Sequence, residues 1–287
     1  MRGPVPAQPE WRRPGVSQDV RAYAGVIRDP LPGRARKPRS VGLTMVIDKG
    51  LGLGPTRALL ELAGEYIDFI KLGFGTAALY PERILREKVA LIRGCGVEPY
   101  PGGTFLEAAL LQGRLEAFLA ATWDLGFRAV EVSEGTIDLD HRDRERAIRA
   151  ARNMGFTVIT EVGKKDGSQE LDPAAALSRI EADLAAGAAK VIVEGRESGK
   201  GVGLYDREGR LKLGLLERLV AGLPDPGAII WEAPLKAQQE ELIARFGVNV
   251  NLGNVPPEEV IALEALRCGL RGDTLRLAIE GARPAAR

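Results

Sequence analysis

Hydrophobic and polar positions along the chain follow two rhythms. Short aliphatic or β-branched runs fall at 42–47, 66–72, 97–100, 128–132, 157–162, 190–193, 228–231 and 248–252. Their length and composition are those of strands buried on both faces. Between them lie longer stretches rich in Ala, Leu, Glu and Arg, such as 56–64, 82–93, 113–125, 142–154 and 173–186, with helical spacing. Gly64, Gly94, Gly126, Gly155 and Gly187 close several of these, as helix C-terminal caps tend to. Eight strand–helix units over roughly 240 residues predict a single (β/α)8 barrel. An open, doubly wound sheet is the main rival. However, the first run is followed by GLGLG at 50–54, which lacks the GxGxxG spacing of a dinucleotide turn.

The two ends lack this rhythm. Residues 1–38 read as an Arg- and Pro-rich N-terminal extension whose one plausible short helix is 20–27; 39–280 hold the barrel, and 281–287 a C-terminal tail. Of the 287 residues, 45% are hydrophobic, ample for a packed core. With 40 Lys+Arg against 39 Asp+Glu, the net charge of +1 gives no bulk field for a nucleic acid or a membrane surface, and neither is expected as a partner. Cys95 and Cys268 cannot make a disulfide framework, and there is no Cys/His cluster for zinc. No apolar run approaches the ~18–20 residues of a membrane span, and no signal pattern opens the chain, so a cytoplasmic location is expected.

The positions of the charges change the picture. Each run stays apolar until its C-terminal end and then meets polar residues. In order these are Asp48 and Lys49; Lys71; Gly102, Gly103 and Thr104; Glu131, Ser133 and Glu134; and Glu161 with Lys164 and Lys165. Glu194 with Arg196, then Glu232, then Asn249, Asn251 and Asn254 complete the series. Side chains alternate faces along a strand, so Phe69 and Lys71 share a face, as do Glu131 and Ser133. In a barrel, such residues converge on the C-terminal mouth, where active sites lie. Charges so placed are costly unless paired or bound to a metal. Any one of them could be an ordinary strand-end ion pair; the whole set points to chemistry.

Other motifs dissolve on inspection. GRESGKG at 195–201 has its glycines one residue too close for a P-loop and no Ser or Thr after the lysine. His141, the one histidine, lies in a charged stretch and reads as a solvated residue near a helix start. What remains is carboxylates and lysines. Oxygen donors without His or Cys suit a hard cation such as Mg²⁺. In the pair Lys164–Lys165, one ammonium lowers the pKa of the other, which suits an acid, a base or a Schiff-base nucleophile. GNVPPE at 253–258 offers a helix start after the last strand, where barrels commonly seat phosphate.

Eight ordered segments carry a family resemblance: GLTMVIDKG (42–50), DFIKLGFGT (68–76), YPGGT (100–104), EVGKK (161–165), VEGRESG (193–199), EAPLKAQQ (232–239), NLGN (251–254) and LRGDT (270–274). Through them the chain resembles the phosphosulfolactate synthase family from about residue 39 to 274. Phe74 and Glu134 stand where that family more often has Trp and Asp. The resemblance implies a (β/α)8 enzyme that adds sulfite to phosphoenolpyruvate with Mg²⁺, giving (2R)-phospho-3-sulfolactate. It implies Lys165 as general acid with Lys164 second, and Glu131, Glu161, Glu194 and Glu232 as Mg²⁺ ligands or their supports. Lys71 and Arg196 would then bind carboxylate or sulfite, Asn251, Gly253, Asn254 and Arg271 phosphate, and Lys49 would join them in binding substrate. A homo-oligomer serving coenzyme M or sulfolactate synthesis is implied as well. Two alternatives stay open: a lyase or aldolase acting on another phosphorylated acid, and a barrel kept as a non-catalytic, stress-associated protein.

Overall fold

A computed structural model of the chain describes residues 21–164 and 171–281. The strands are β1 (Thr44–Asp48), β2 (Phe69–Leu72), β3 (Glu98–Pro101), β4 (Ala129–Val132), β5 (Thr157–Val162), β6 (Lys190–Val193), β7 (Ile229–Glu232) and β8 (Leu252–Val255). All ladders are parallel, in the order β3-β2-β1-β8-β7-β6-β5-β4. β3 packs beside β4, which completes a nearly closed (β/α)8 barrel.

The outer layer holds α1 (Leu53–Ala63), α2 (Glu82–Gly94), α3 (Gly103–Leu111), α4 (Leu115–Asp124) and α5 (His141–Asn153). It continues with α6 (Pro173–Ala186), α7 (Leu213–Gly222), α8 (Lys236–Phe246), α9 (Val260–Arg267) and α10 (Gly272–Gly281). Local chemistry explains their ends and faces. α5 starts where the Asp140 carboxylate accepts the Asp143 N–H (2.7 Å), and it buries Arg144, Ala147, Ile148 and Ala151, one stripe of a 3.6-residue period. α6 is capped by Asp172, begins with Pro173 and stops at Gly187, whose φ of 111° few side chains tolerate. Among the described residues no helix is long and apolar enough to cross a membrane.

Three elements differ from the sequence reading. The reading names no helix at α3, where TFLEAALL is apolar almost all round and shows no amphipathic face. The last strand lies later than 248–252, because the Val248 and Val250 carbonyls accept from Arg267 Nη1 (2.6 and 2.8 Å). The ladder starts at Leu252, with an irregularity of register against β1 and Asn254 at φ 52°. Within the described part of 20–27 the chain makes turns rather than a helix.

The residues after this turn seal the barrel floor. Arg34 makes a bidentate pair with Glu264 (3.1 Å), Arg39 Nε donates to both oxygens of Asp68 (3.0 and 3.1 Å), and Asn249 clasps Ala35 N and Gly33 O (2.9 and 2.8 Å). Arg267 lies wholly buried above them and also donates to Leu43 O (3.2 Å). Burial, helped by the charge of Arg34, pulls the Arg267 pKa below the ordinary guanidinium value. Replacing Arg267 by Met strips a donor from the buried Val250 and half-buried Val248 carbonyls, while Leu43 O keeps Leu252 N, and urea unfolding should register a loss of about 3 kcal/mol. A loss under about 1 kcal/mol would show that water satisfies these carbonyls instead.

Candidate active site at the barrel mouth

The barrel axis is filled by Met45, Tyr100, Ala129, Ile159, Ile192 and Ile230, with Phe69 packed against them. Two residues further along five strands, the alternation brings an ionisable side chain to the same inward face. Phe69 is followed by Lys71, Ala129 by Glu131, Ile159 by Glu161, Ile192 by Glu194 and Ile230 by Glu232. None of these five is more than 6% exposed.

Lys71 is the centre of the group. Its Nζ lies 3.0 Å from Glu131 Oε2, 3.0 Å from Glu161 Oε2 and 3.4 Å from Glu232 Oε1. Burial alone lowers the pKa of this ammonium, but the three carboxylates outweigh it and hold it well above the usual lysine value. Backbone donors fix the carboxylates in turn: Gly103 N donates to Glu131 Oε1 (2.7 Å) and Gly195 N to Glu232 Oε2 (2.9 Å). A Cβ on Gly103 would stand 2.6 Å from Glu131 Oε1 and would also clash with Ser133, so only glycine lets α3 approach this closely. Glu194 Oε1 accepts the Arg196 N–H (2.6 Å), and Arg196 sits at φ 61°, a strained conformation for a side-chain-bearing residue.

The other residues singled out by sequence divide into two groups. Lys49 follows β1 at the rim, exposed, its Nζ 5.8 Å from the Phe74 ring centroid. Asn254 lies in β8, next to its last residue Val255, and its buried Oδ1 lacks a hydrogen-bond partner. Lys164 points away into the β4–α5 loop, donating to Glu134 O, Ile137 O (both 2.9 Å) and Asp138 Oδ1 (2.8 Å). Asn251 is spent at the start of β8, accepting from Leu43 N (3.0 Å) and donating to Gly227 O and Ile229 O (2.9 and 2.8 Å). Gly253 is a packing glycine: a Cβ there would meet Met45 Cε at 2.6 Å and Ile230 Cγ2 at 3.0 Å. Arg271 precedes α10, its Nε 3.8 Å from Asp273. His141 is exposed at the start of α5. Lys165 lies outside the described residues.

Sequence reasoning passed over Glu107 of α3. Its buried carboxylate accepts from Ser133 Oγ, Gly135 N (3.2 Å), Thr136 N (2.8 Å) and Ile137 N (2.9 Å), and so shapes the loop on which Lys164 rests. The available signal was a lone Glu in an otherwise apolar helix. Glu134, one methylene longer than Asp, reaches Arg179 of α6 (3.3 Å) and stands 4.0 Å from Arg144 of α5.

A barrel whose interior alternation ends in a lysine ringed by glutamates at the C-terminal mouth defines a (β/α)8 enzyme. The chain belongs to the (2R)-phospho-3-sulfolactate synthase (ComA) family, whose family model matches residues 32–273. Phosphosulfolactate synthase of Methanothermobacter thermautotrophicus is 46% identical over 246 residues, 85% of this chain and 95% of that protein. The Bacillus subtilis phosphosulfolactate synthase is 35% identical over 249 residues, 86% and 97% of the two chains. The solved 3-hexulose-6-phosphate synthase from Salmonella typhimurium aligns at a TM-score of 0.52 and 15% identity, covering 83% of this chain and 99% of that one, a likeness of fold alone.

The Lys71 charge is fully present below the ordinary lysine value and is lost only as pH climbs through its raised one, so it is constant near neutrality. Lys71→Met leaves Glu131, Glu161 and Glu232 facing one another without that ammonium, and their folded-state pKa values should rise above the unfolded ones. A raised carboxyl pKa gives stability that is present at low pH and lost as pH rises through it. Urea unfolding should therefore show the variant losing more stability, relative to the wild type, at about pH 8 than at about pH 5. An equal loss at both would mean that Lys71 is not what keeps these carboxylates charged.

Proposed function

We propose that the chain is a phosphosulfolactate synthase that adds sulfite to the methylene carbon of phosphoenolpyruvate, giving (2R)-phospho-3-sulfolactate. The observation that carries this reading is the Lys71–glutamate knot at the mouth of a barrel whose relatives bear that name over nearly their full length. The sulfur lone pair forms the C–S bond, and the C=C pair moves toward the substrate carboxylate. A proton then added to the carbon that bears phosphate completes the product, and delivery from one face sets the R configuration.

Lys71 keeps its proton, because the surrounding glutamates hold its pKa well above the usual value. It therefore serves as a fixed positive charge rather than as the acid. We assign the proton to Lys165. Lys164 is the second candidate, and its ammonium is already committed to three acceptors of the β4–α5 loop. Lys49 and Arg196, following β1 and β6, supply rim cations for carboxylate and sulfite. Asn254 is the phosphate candidate, while Asn251, Gly253 and Arg271 have the structural contacts described above.

The donor set at the mouth is all oxygen, which in kind suits Mg²⁺. Among the described residues no group of three or more His, Cys, Asp or Glu is arranged to cage an ion. Mg²⁺ ordinarily takes one or two carboxylates together with water and substrate oxygens, so a cage is not required. Glu194, outside the Lys71 knot, is the first candidate to hold it, with Glu131, Glu161 and Glu232 behind. When bound, the ion supplies positive charge beside the substrate carboxylate as electron density arrives there.

Product formation from phosphoenolpyruvate and sulfite, with Mg²⁺ and with EDTA, tests this reading. The wild type should make a sulfonated product only with metal, and Lys165→Ala should lose at least about 100-fold in rate. No product from folded wild type would sink the reaction. Product that survives in Lys165→Ala would keep the reaction and move the acid to Lys164.

A further inference from the structure

The rim loop that follows β1 is held from below by a buried lysine that has no part in the chemistry above. Lys88 lies on α2 and is wholly buried. Its Nζ pairs with Asp48 Oδ2 (2.5 Å) and donates to Leu51 O (2.6 Å) and Tyr80 Oη (2.8 Å). An ammonium has three donor positions, and all three are used. Tyr80 Oη in turn donates to Leu51 O (2.9 Å), and its ring centroid lies 4.6 Å from the same ammonium. From the other side, Asp48 Oδ1 accepts the N–H groups of Gly50 (2.8 Å) and Leu51 (2.7 Å).

The stretch from Asp48 to Leu51 is therefore fixed at its first carboxylate and its last carbonyl by one side chain from a different element. Lys49 sits inside that stretch and is the one residue of it whose charge faces the rim. Tyr80 follows β2, on the same segment as Phe74, so the knot also joins the two loops between which Lys49 and Phe74 meet. Burying an ammonium is costly, and an aliphatic side chain would fill the same space more cheaply if packing were the only demand. Asp48 has both oxygens engaged by this knot and is held away from substrate.

We propose that Lys88 is a positioning residue for the mouth: acting through Asp48, Leu51 and Tyr80, it fixes the β1–α1 loop so that Lys49 meets an anionic group of the substrate from a backbone already ordered. This rests on the assignment of Lys49 to substrate binding made above.

The test is a double-mutant cycle. Steady-state kinetics with phosphoenolpyruvate and sulfite, and calorimetric titration with phosphoenolpyruvate alone, are run on wild type, Lys88→Met, Lys49→Ala and the double variant. Lys88→Met should raise KM and Kd for phosphoenolpyruvate about tenfold, with kcat within about twofold. In the Lys49→Ala background the same change should add less than about twofold, because the two act through one contact. A Lys88→Met protein with unchanged KM and Kd and only a lower Tm overturns the proposal, as does a tenfold penalty that persists without Lys49. If Lys88→Met fails to fold, Tyr80→Phe removes the two bonds made by Tyr80 Oη, leaves the Lys88 contacts with Asp48 and Leu51 in place, and should raise KM and Kd about threefold, again only when Lys49 is present. Unchanged values in Tyr80→Phe would then overturn it. An inactive wild type would sink the reaction proposed above, and the calorimetric cycle would still decide the role of Lys88.

Discussion

One ammonium, that of Lys71, holds together four strands that are not all neighbours. β2 supplies the cation, and β4, β5 and β7 supply the carboxylates that surround it, so the contact spans the barrel rather than running along a ladder. Backbone donors outside the group fix two of its carboxylates a second time, Glu131 by Gly103 N and Glu232 by Gly195 N, which offsets part of the cost of burying them. Those two backbone donors belong to the start of α3 and to the loop after β6. The shape of the mouth is thus dictated by the charges beneath it, and the apolar layer under Lys71 keeps water from dissolving the arrangement.

This organisation explains what the amino-acid pattern discloses and what it conceals. The strands are legible because a buried parallel strand must be apolar on both faces, and the break from Phe69 to Lys71 or from Ile159 to Glu161 marks where each strand reaches the mouth. α3 is concealed because a helix that is apolar nearly all round has no polar face to give it a period. Residues 248–250 read as a strand by composition, yet their carbonyls turn to Arg267, a partner that no local pattern could name. The same limit applies to polar side chains. Asn251 and Asn254 look alike in sequence, but one ties the start of a strand to its neighbours and the other lies within it at a positive φ, its Oδ1 buried without a hydrogen-bond partner. Lys164 carries the expected charge at the expected strand end and spends it on a neighbouring loop.

The likeness to a hexulose-phosphate synthase at 15% identity illustrates how little the barrel itself says about chemistry. What separates such enzymes is the handful of residues two positions past the apolar layer and the loops that orient them. Here that handful is rich in carboxylate, within a chain whose formal charge is only +1. A site of this kind manages anionic ligands by placing a few cations where they count, not by a field spread over the surface.

The sealed floor has a consequence for how the chain is made. Arg34 and Glu264 stand 230 residues apart in sequence, and Asn249 meets Ala35 across 214. A ribosome delivers the floor segment more than 200 residues before its partners, so these bonds are absent while the strands between are made. β1, made directly after that segment, likewise waits for β8 on one side. Contacts of such high order are slow to form, and the half-built sheet keeps an open edge until β8 has been made. Closing the floor is therefore a late act of the finished chain, and nascent chains stalled before α9 would have no means of performing it.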